Sequence, residues 1–138
     1  MDNSKRIEHF NARAPGFFQM LGGKVVALDA QQQTCTIEFN ISLEFCHSVD
    51  VVQGGFITAM LDAAMSHSVF AAADDITGVS SLEIKTSYPA PTRAGILRAE
   101  GRIVKSGYKI AFLEGELYDQ QGELTATASS VAKLVRAG

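Results

Sequence analysis

The stretch VVQGGFITAMLDAAMSHSVFAAADD, Val51 to Asp75, decides how the rest of this 138-residue chain is read. Between Gly54 and Ala73 the side chains are mostly small or apolar, and the one carboxylate among them is Asp62. The segment approaches membrane-spanning length, yet Asp62, Ser66, His67 and Ser68 are costly in lipid and no basic flank anchors either end. A helix over residues 54–73, buried in protein, is therefore predicted. An unpaired charge in such a core is strongly unfavourable, so Asp62 is expected to be paired, strongly hydrogen-bonded or partly protonated. Two readings follow: the carboxylate ties hydroxyls and backbone together at a subunit contact, or it does chemistry.

Outward from this helix the chain alternates. Thr34 to Ile41 sets Cys35, Ile37, Phe39 and Ile41 against Thr34, Thr36, Glu38 and Asn40, the period of a half-buried strand. Residues 22–30 are its predicted hairpin partner across Gln31 to Gln33. Beyond the helix come four more alternating segments, 80–88, 96–105, 109–119 and 123–135, punctuated by ProAlaProThrArgAlaGly, SerGlyTyr and GlnGlnGly. In the second, Leu97, Ala99, Gly101 and Ile103 oppose Arg98, Glu100 and Arg102, so one face is dry. This pattern predicts one antiparallel sheet, and the long helix is the only cover the chain offers for its dry face. A short first helix, capped by Asn3 or Ser4 and carrying Ile7 and Phe10 on one side, is expected to stop before Pro15 and Gly16. The predicted class is α+β: a curved antiparallel sheet wrapped around one long central helix, plus a short N-terminal helix, in a single domain of residues 1–138.

With 46% hydrophobic and 20% charged residues and no biased tract, the composition is that of a globular protein. A net charge of −3, with Lys and Arg scattered singly, gives no electrostatic reason to expect nucleic acid or an anionic membrane as partner. Cys35 and Cys46 lack metal-ligand spacing, and MDNSKRIEH is polar where a signal peptide has an apolar core. The expectation is a cytoplasmic protein that needs no metal or cofactor.

Gly54 and Gly55 stand where the long helix should begin, at unpaired N–H groups bearing partial positive charge. Such a terminus can hold a developing oxyanion; alternatively, two glycines merely permit a tight turn or close packing. Asp62 is eight residues beyond Gly54, about 12 Å along the axis at roughly 1.5 Å per residue. One helix cannot easily aim both groups at one carbonyl, whereas two antiparallel helices from two subunits can. A two-fold homodimer with two equivalent interface sites is expected.

GlnGlyGly, then an apolar helix bearing Asp62 nine positions after Gln53, then four alternating strands, together resemble the hotdog-fold acyl-CoA thioesterases. The likeness is closest to the phenylacetate-degradation and 4-hydroxybenzoyl-CoA thioesterase groups. It implies that Asp62 acts as nucleophile or as general base for water, and that the Gly54 N–H polarises the thioester carbonyl. It also implies a serine that places water, one turn after the carboxylate or at the start of the following strand. Ser66 and Ser81 match those places and Ser80 adjoins the second; local hydrogen bonding within helix or strand is the alternative for each. Many members carry HisGlyGly where this chain has Gln53, and often an asparagine at the place of His47. Gln53 can still donate to an acyl or thioester oxygen and so orient substrate. His47 can bind the carbonyl, act as an acid near neutral pH, or hydrogen-bond within its loop. His67, five residues past Asp62, points away from it and is read as structural.

The activity implied is hydrolysis of an aromatic or medium-chain acyl-CoA to free acid and coenzyme A, in a homodimer or, by family likeness, a dimer of dimers. Gly55 and Phe56 are then substrate-lining residues, and Met60 and Met65 shape the acyl pocket. Arg93, Lys105 and Lys109, in or beside turns, are candidates for the coenzyme A phosphates or plain solvated surface. No GxSxG elbow is present, and a thiolate leaves readily enough for one carboxylate to suffice. Two other readings stay open. One is a hydroxyacyl-thioester dehydratase, whose histidine and carboxylate His47 and Asp62 loosely imitate. The other is a non-catalytic acyl-CoA binding or sensing module, favoured by Gln53 in place of the family's histidine.

Overall fold

In the computed structural model, which describes residues 2–138, the alternating segments become strands. They are β1 (Gly23–Asp29), β2 (Thr34–Ile41), β3 (Ile76–Ser87), β4 (Gly95–Ser106), β5 (Ile110–Tyr118) and β6 (Leu124–Arg136). All pair antiparallel in one sheet of order β1-β2-β4-β5-β6-β3. The period-2 pattern sorts the two faces as expected: Cys35, Ile37, Phe39 and Ile41 of β2 and Leu97 and Ala99 of β4 are buried. On the other face Arg102 bridges Glu114 and Glu116 at 2.7 and 2.6 Å.

The apolar stretch forms α3 (Gly54–Ala72), which lies on the dry face and touches every strand, so the sheet curves round it. Its approach is unusually close at one point. A Cβ on Gly101 would fall on the main-chain carbonyl of Ala64 and the amide of Met65, so only glycine lets the helix settle there. Met60, Leu61, Ala64 and Met65 are fully buried in consequence.

The N-terminal segment differs in detail from the sequence reading. Helix α1 (Asn3–Ala12) is capped by Asp2, whose carboxylate accepts from Lys5 N at 3.0 Å, and not by Asn3 or Ser4. Asn3 is inside the helix and donates instead to Leu28 O at 3.0 Å. A further helix, α2 (Gly16–Met20), follows Pro15 and buries Phe18. The first helix docks as an outer partner of β1, its Asn11 side chain accepting from Val25 N (2.7 Å) and donating to Val25 O (2.9 Å). Arg6 donates to Ala71 O at 2.6 Å and so satisfies a terminal carbonyl of α3. Strand β3 begins four residues earlier than the alternation suggested and forms one edge of the sheet, paired only with β6. No helix among the described residues is long and apolar enough to cross a membrane.

Candidate active site

The loop before α3 brings Gln53 to the helix N-cap, where its Oε1 accepts from Gly55 N–H at 2.8 Å. Main-chain bonds fix this entry: Gln53 N–H donates to Phe45 O (2.9 Å) and Val52 N–H to Thr92 O (2.8 Å). The Gln53 carbonyl in turn accepts from Phe56 N–H (3.1 Å) and Ile57 N–H (3.4 Å). The Gly54 N–H donates to no group among the described residues, and Gly54 lines a cleft of about 440 Å³. His47, Gln53, Gly54, Gly55, Tyr88 and Thr92 line that cleft. The floor is firm because Thr92, itself buried, donates to Thr125 Oγ1 at 2.7 Å.

Two turns along α3, Asp62 is half-buried, not enclosed as a core residue, because it faces the edge strand β3. Ser81 Oγ donates to its Oδ1 at 2.7 Å, a charge-assisted hydrogen bond that fixes one carboxylate oxygen and leaves the other free. Strand alternation sends Ser80 to the opposite face, and it is exposed. Ser66 is half-buried one turn beyond Asp62 and makes no side-chain hydrogen bond among the described residues. Gly55, Thr58, Ala59, Asp62 and Ser66 thus form a partly open stripe along a helix otherwise buried.

The remaining candidates are distributed unevenly. His47 is exposed on the cleft wall, with Nδ1 2.9 Å from Ser48 Oγ and its N–H on Val51 O, so a loop hydrogen bond is the contact present. Phe56 stacks edge-on against Phe45, centroids 4.9 Å apart. Arg93 turns away from the cleft to pair with Asp50 at 2.6 Å. Lys105 and Lys109 are exposed on the β4–β5 hairpin. That hairpin sits beside Arg136 and Asp75 at the far end of β3, so neither lysine reaches the Gly54 cleft of its own chain. His67 packs among Phe10, Phe18 and Phe70 with Nδ1 donating to Ala63 O, away from Asp62.

Three hydroxyls escaped the sequence reading. Tyr88 donates to Gly54 O at 3.0 Å and lies 3.1 Å from Thr58 Oγ1, which is 2.8 Å from Thr86 Oγ1. A faint signal existed: Thr58 precedes Asp62 by one turn, and Ser81 is followed by Thr86 on the same strand and by Tyr88 just past its end. Elsewhere, burial pushes the Cys35 thiol up to about 12, which rules it out as a nucleophile. A larger hollow of about 570 Å³ under α1 holds Arg6 and Asp74, but that arginine is engaged by the α3 carbonyls. No cluster of three metal-ligating side chains occurs among the described residues.

Comparison with known proteins gives this geometry a family. Residues 50–126, from the loop before α3 into β6, match the model of the thioesterase superfamily. A phenylacetic acid degradation-related protein from Ralstonia eutropha JMP134 has a similar structure, with a TM-score of 0.84 and 30% identity over 96% of this chain and 99% of that one. The PaaI protein from the phenylacetic acid degradation operon of E. coli shares the fold at 15% identity (TM-score 0.82, 98% and 94% covered). A Saccharolobus solfataricus protein provisionally named an esterase is 27% identical over 127 residues, 92% of this chain and 89% of its own length. The family match covers more than half of the chain, including Gly54, Asp62 and Ser81, and the whole sheet-and-helix architecture agrees with it: the chain belongs to the thioesterase superfamily and is a hotdog-fold thioester hydrolase.

Proposed function

We propose that the chain hydrolyses an acyl-CoA thioester at a site shared by two subunits, with Asp62 from one and the Gly54 N–H from the other. The observation that carries this reading is the Asp62 carboxylate, anchored by Ser81 through one oxygen, on a helix stripe left open in a single chain. Gly54 and Asp62 of one chain are about 12 Å apart along α3 and cannot meet at one carbonyl. A second copy supplies the missing half. Strand β3 is a sheet edge with unpaired main-chain groups, and its Leu82 is 60% exposed. Antiparallel pairing of two such edges continues the sheet and lays two α3 helices side by side in opposite directions, Gly54 of each towards Asp62 of the other.

The chemistry then follows from charge. The thioester carbonyl oxygen accepts the Gly54 N–H, whose dipole and helix position favour the negative charge that develops there. Asp62, its geometry held by Ser81, removes a proton from water as the water oxygen attacks the carbonyl carbon. Alternatively it attacks directly, giving a mixed anhydride that water then opens. Collapse of the tetrahedral intermediate breaks the C–S bond, and coenzyme A leaves as a thiolate that recovers the proton. The acyl group proposed is aromatic or of medium chain length. The naming of the Ralstonia relative as phenylacetic acid degradation-related favours the aromatic choice.

Thiol release from phenylacetyl-, benzoyl- and straight-chain acyl-CoAs, measured beside Asp62→Asn, tests the reading. Turnover by the wild type that falls by about a hundredfold or more in the variant is expected for loss of the base or nucleophile. Undiminished turnover by Asp62→Asn refutes the assignment, and binding without any hydrolysis by the wild type replaces it with the acyl-CoA-binding module.

A further inference from the structure

We propose that Tyr88 is a positioning residue for this reaction, clamping the Gly54–Gly55 peptide together with Gln53 so that the Gly54 N–H is held in its working direction. The inference rests on the oxyanion role of Gly54 proposed above. Two successive glycines at a helix N-terminus are the least constrained peptide a helix can begin with. They lack side chains to restrict φ and ψ, and the first-turn N–H groups have no helical partners.

Here both ends of the peptide joining them are held from outside the helical ladder. Its carbonyl accepts the Tyr88 hydroxyl at 3.0 Å, and its N–H donates to Gln53 Oε1 at 2.8 Å. The preceding peptide, which carries the Gly54 N–H, is fixed through the Gln53 carbonyl by Phe56 and Ile57. Both peptide planes flanking the Gly54 Cα are therefore set, and the free N–H points one way.

The Tyr88 ring fits this role by contact as well as by its hydroxyl. A Cβ built on Gly54 would lie 3.0 Å from Tyr88 Oη and 3.1 Å from Cζ, so the ring rests directly on the glycine. The hydroxyl is itself steadied by Thr58 at 3.1 Å, and Thr58 by Thr86 at 2.8 Å. Thr86 lies on β3 and Tyr88 immediately follows its end, the same strand whose Ser81 holds Asp62. One edge strand thus orients both the carboxylate and the oxyanion donor. The Gln53 cap also accounts for a glutamine in this place: its amide oxygen engages Gly55 N–H, leaving Gly54 as the unpaired donor.

The experiment uses the full chain carrying Tyr88→Phe, which keeps the ring and removes the hydroxyl, with Thr58→Val as the milder second variant and Asp62→Asn in parallel. Expected for Tyr88→Phe is a kcat lower by about tenfold or more, KM within about twofold, and an unchanged melting temperature, the signature of an interaction realised in the transition state. Thr58→Val shifts kcat in the same direction and by less. Wild-type kcat in Tyr88→Phe, or an effect confined to KM, overturns the clamp. Loss of activity in Asp62→Asn alone leaves the proposed reaction standing without it. A readout independent of catalysis is the amide exchange of Gly55, followed by NMR: it is expected to accelerate at least about fivefold in Tyr88→Phe as the first turn loosens. An unchanged Gly55 rate also overturns the clamp, whatever the substrate proves to be.

Discussion

Replacing Gly101 by alanine adds one methyl group to the middle of β4, a change that strand propensity alone rates as favourable. The structure reverses the sign. The added Cβ meets the Ala64 carbonyl and the Met65 amide of α3, main-chain atoms that cannot rotate aside, so the helix must lift from the sheet. Restoring carbon contacts to about 3.5–4.0 Å requires a rise of roughly 1–2 Å. That gap weakens the packing of Met60, Leu61, Ala64 and Met65, all fully buried residues of α3 itself. Over-packing of this kind costs about 1–3 kcal/mol, and a backbone-on-backbone clash belongs at the upper end. At roughly 3–4 °C per kcal/mol for a chain of this size, the melting temperature falls by about 10 °C. Because Gly54 and Asp62 both ride on α3, a shift of about 1 Å also lowers turnover by up to about a hundredfold even well below the melting point. Thermal denaturation followed by circular dichroism, with thiol release on the same samples, measures both effects. Gly16→Ala is the control, since a Cβ there meets nothing within 4 Å. Gly101→Ala melting within about 2 °C of the wild type with unchanged turnover refutes the close-approach argument.

Two further outcomes follow from the same contacts. Leu82→Asp places a charge on the exposed β3 edge and is expected to give a folded monomer by sedimentation with thiol release abolished; a fully active monomer contradicts a site shared between subunits. Burial pulls the His67 imidazole below its ordinary value of 6.5, against a smaller opposing pull from the Ala63 carbonyl. Below pH about 6.5 the unfolded chain binds a proton that folded His67 resists, so this stabilisation is complete above that pH and is lost progressively as the pH falls. Melting curves between about pH 5 and 7.5 should slope less in His67→Leu than in the wild type, and equal slopes count against the assignment.

Much of the architecture is legible in local sequence because burial has a period. Thr34 to Ile41 alternates and is a strand over those same residues, and the long helix begins at Gly54, where the glycine pair precedes the apolar run. The short α2 has only five residues, too few to display a 3.6-residue period, and was invisible for that reason. The early start of β3 was hidden because an edge strand is exposed along much of its length and carries little apolar alternation. Asp2 in place of Asn3 or Ser4 is a boundary difference among residues that all cap well.

By itself, then, the sequence determined most of the elements, the dry face of the sheet, and the placing of a glycine pair at the start of the long helix that carries Asp62. The tertiary structure alone decided the strand order and which of Ser80 and Ser81 meets Asp62, since alternation puts the two on opposite faces and only the docking of β3 beside α3 says which face meets the helix. It alone joined Tyr88 to Gly54, residues 34 positions apart. It also turned Arg93 towards Asp50 and carried Lys105 and Lys109 to the far end of the sheet. The physical reason is one of range: hydrophobic periodicity is written residue by residue, whereas a hydrogen bond between distant side chains depends on strand register and on how closely α3 can approach β4.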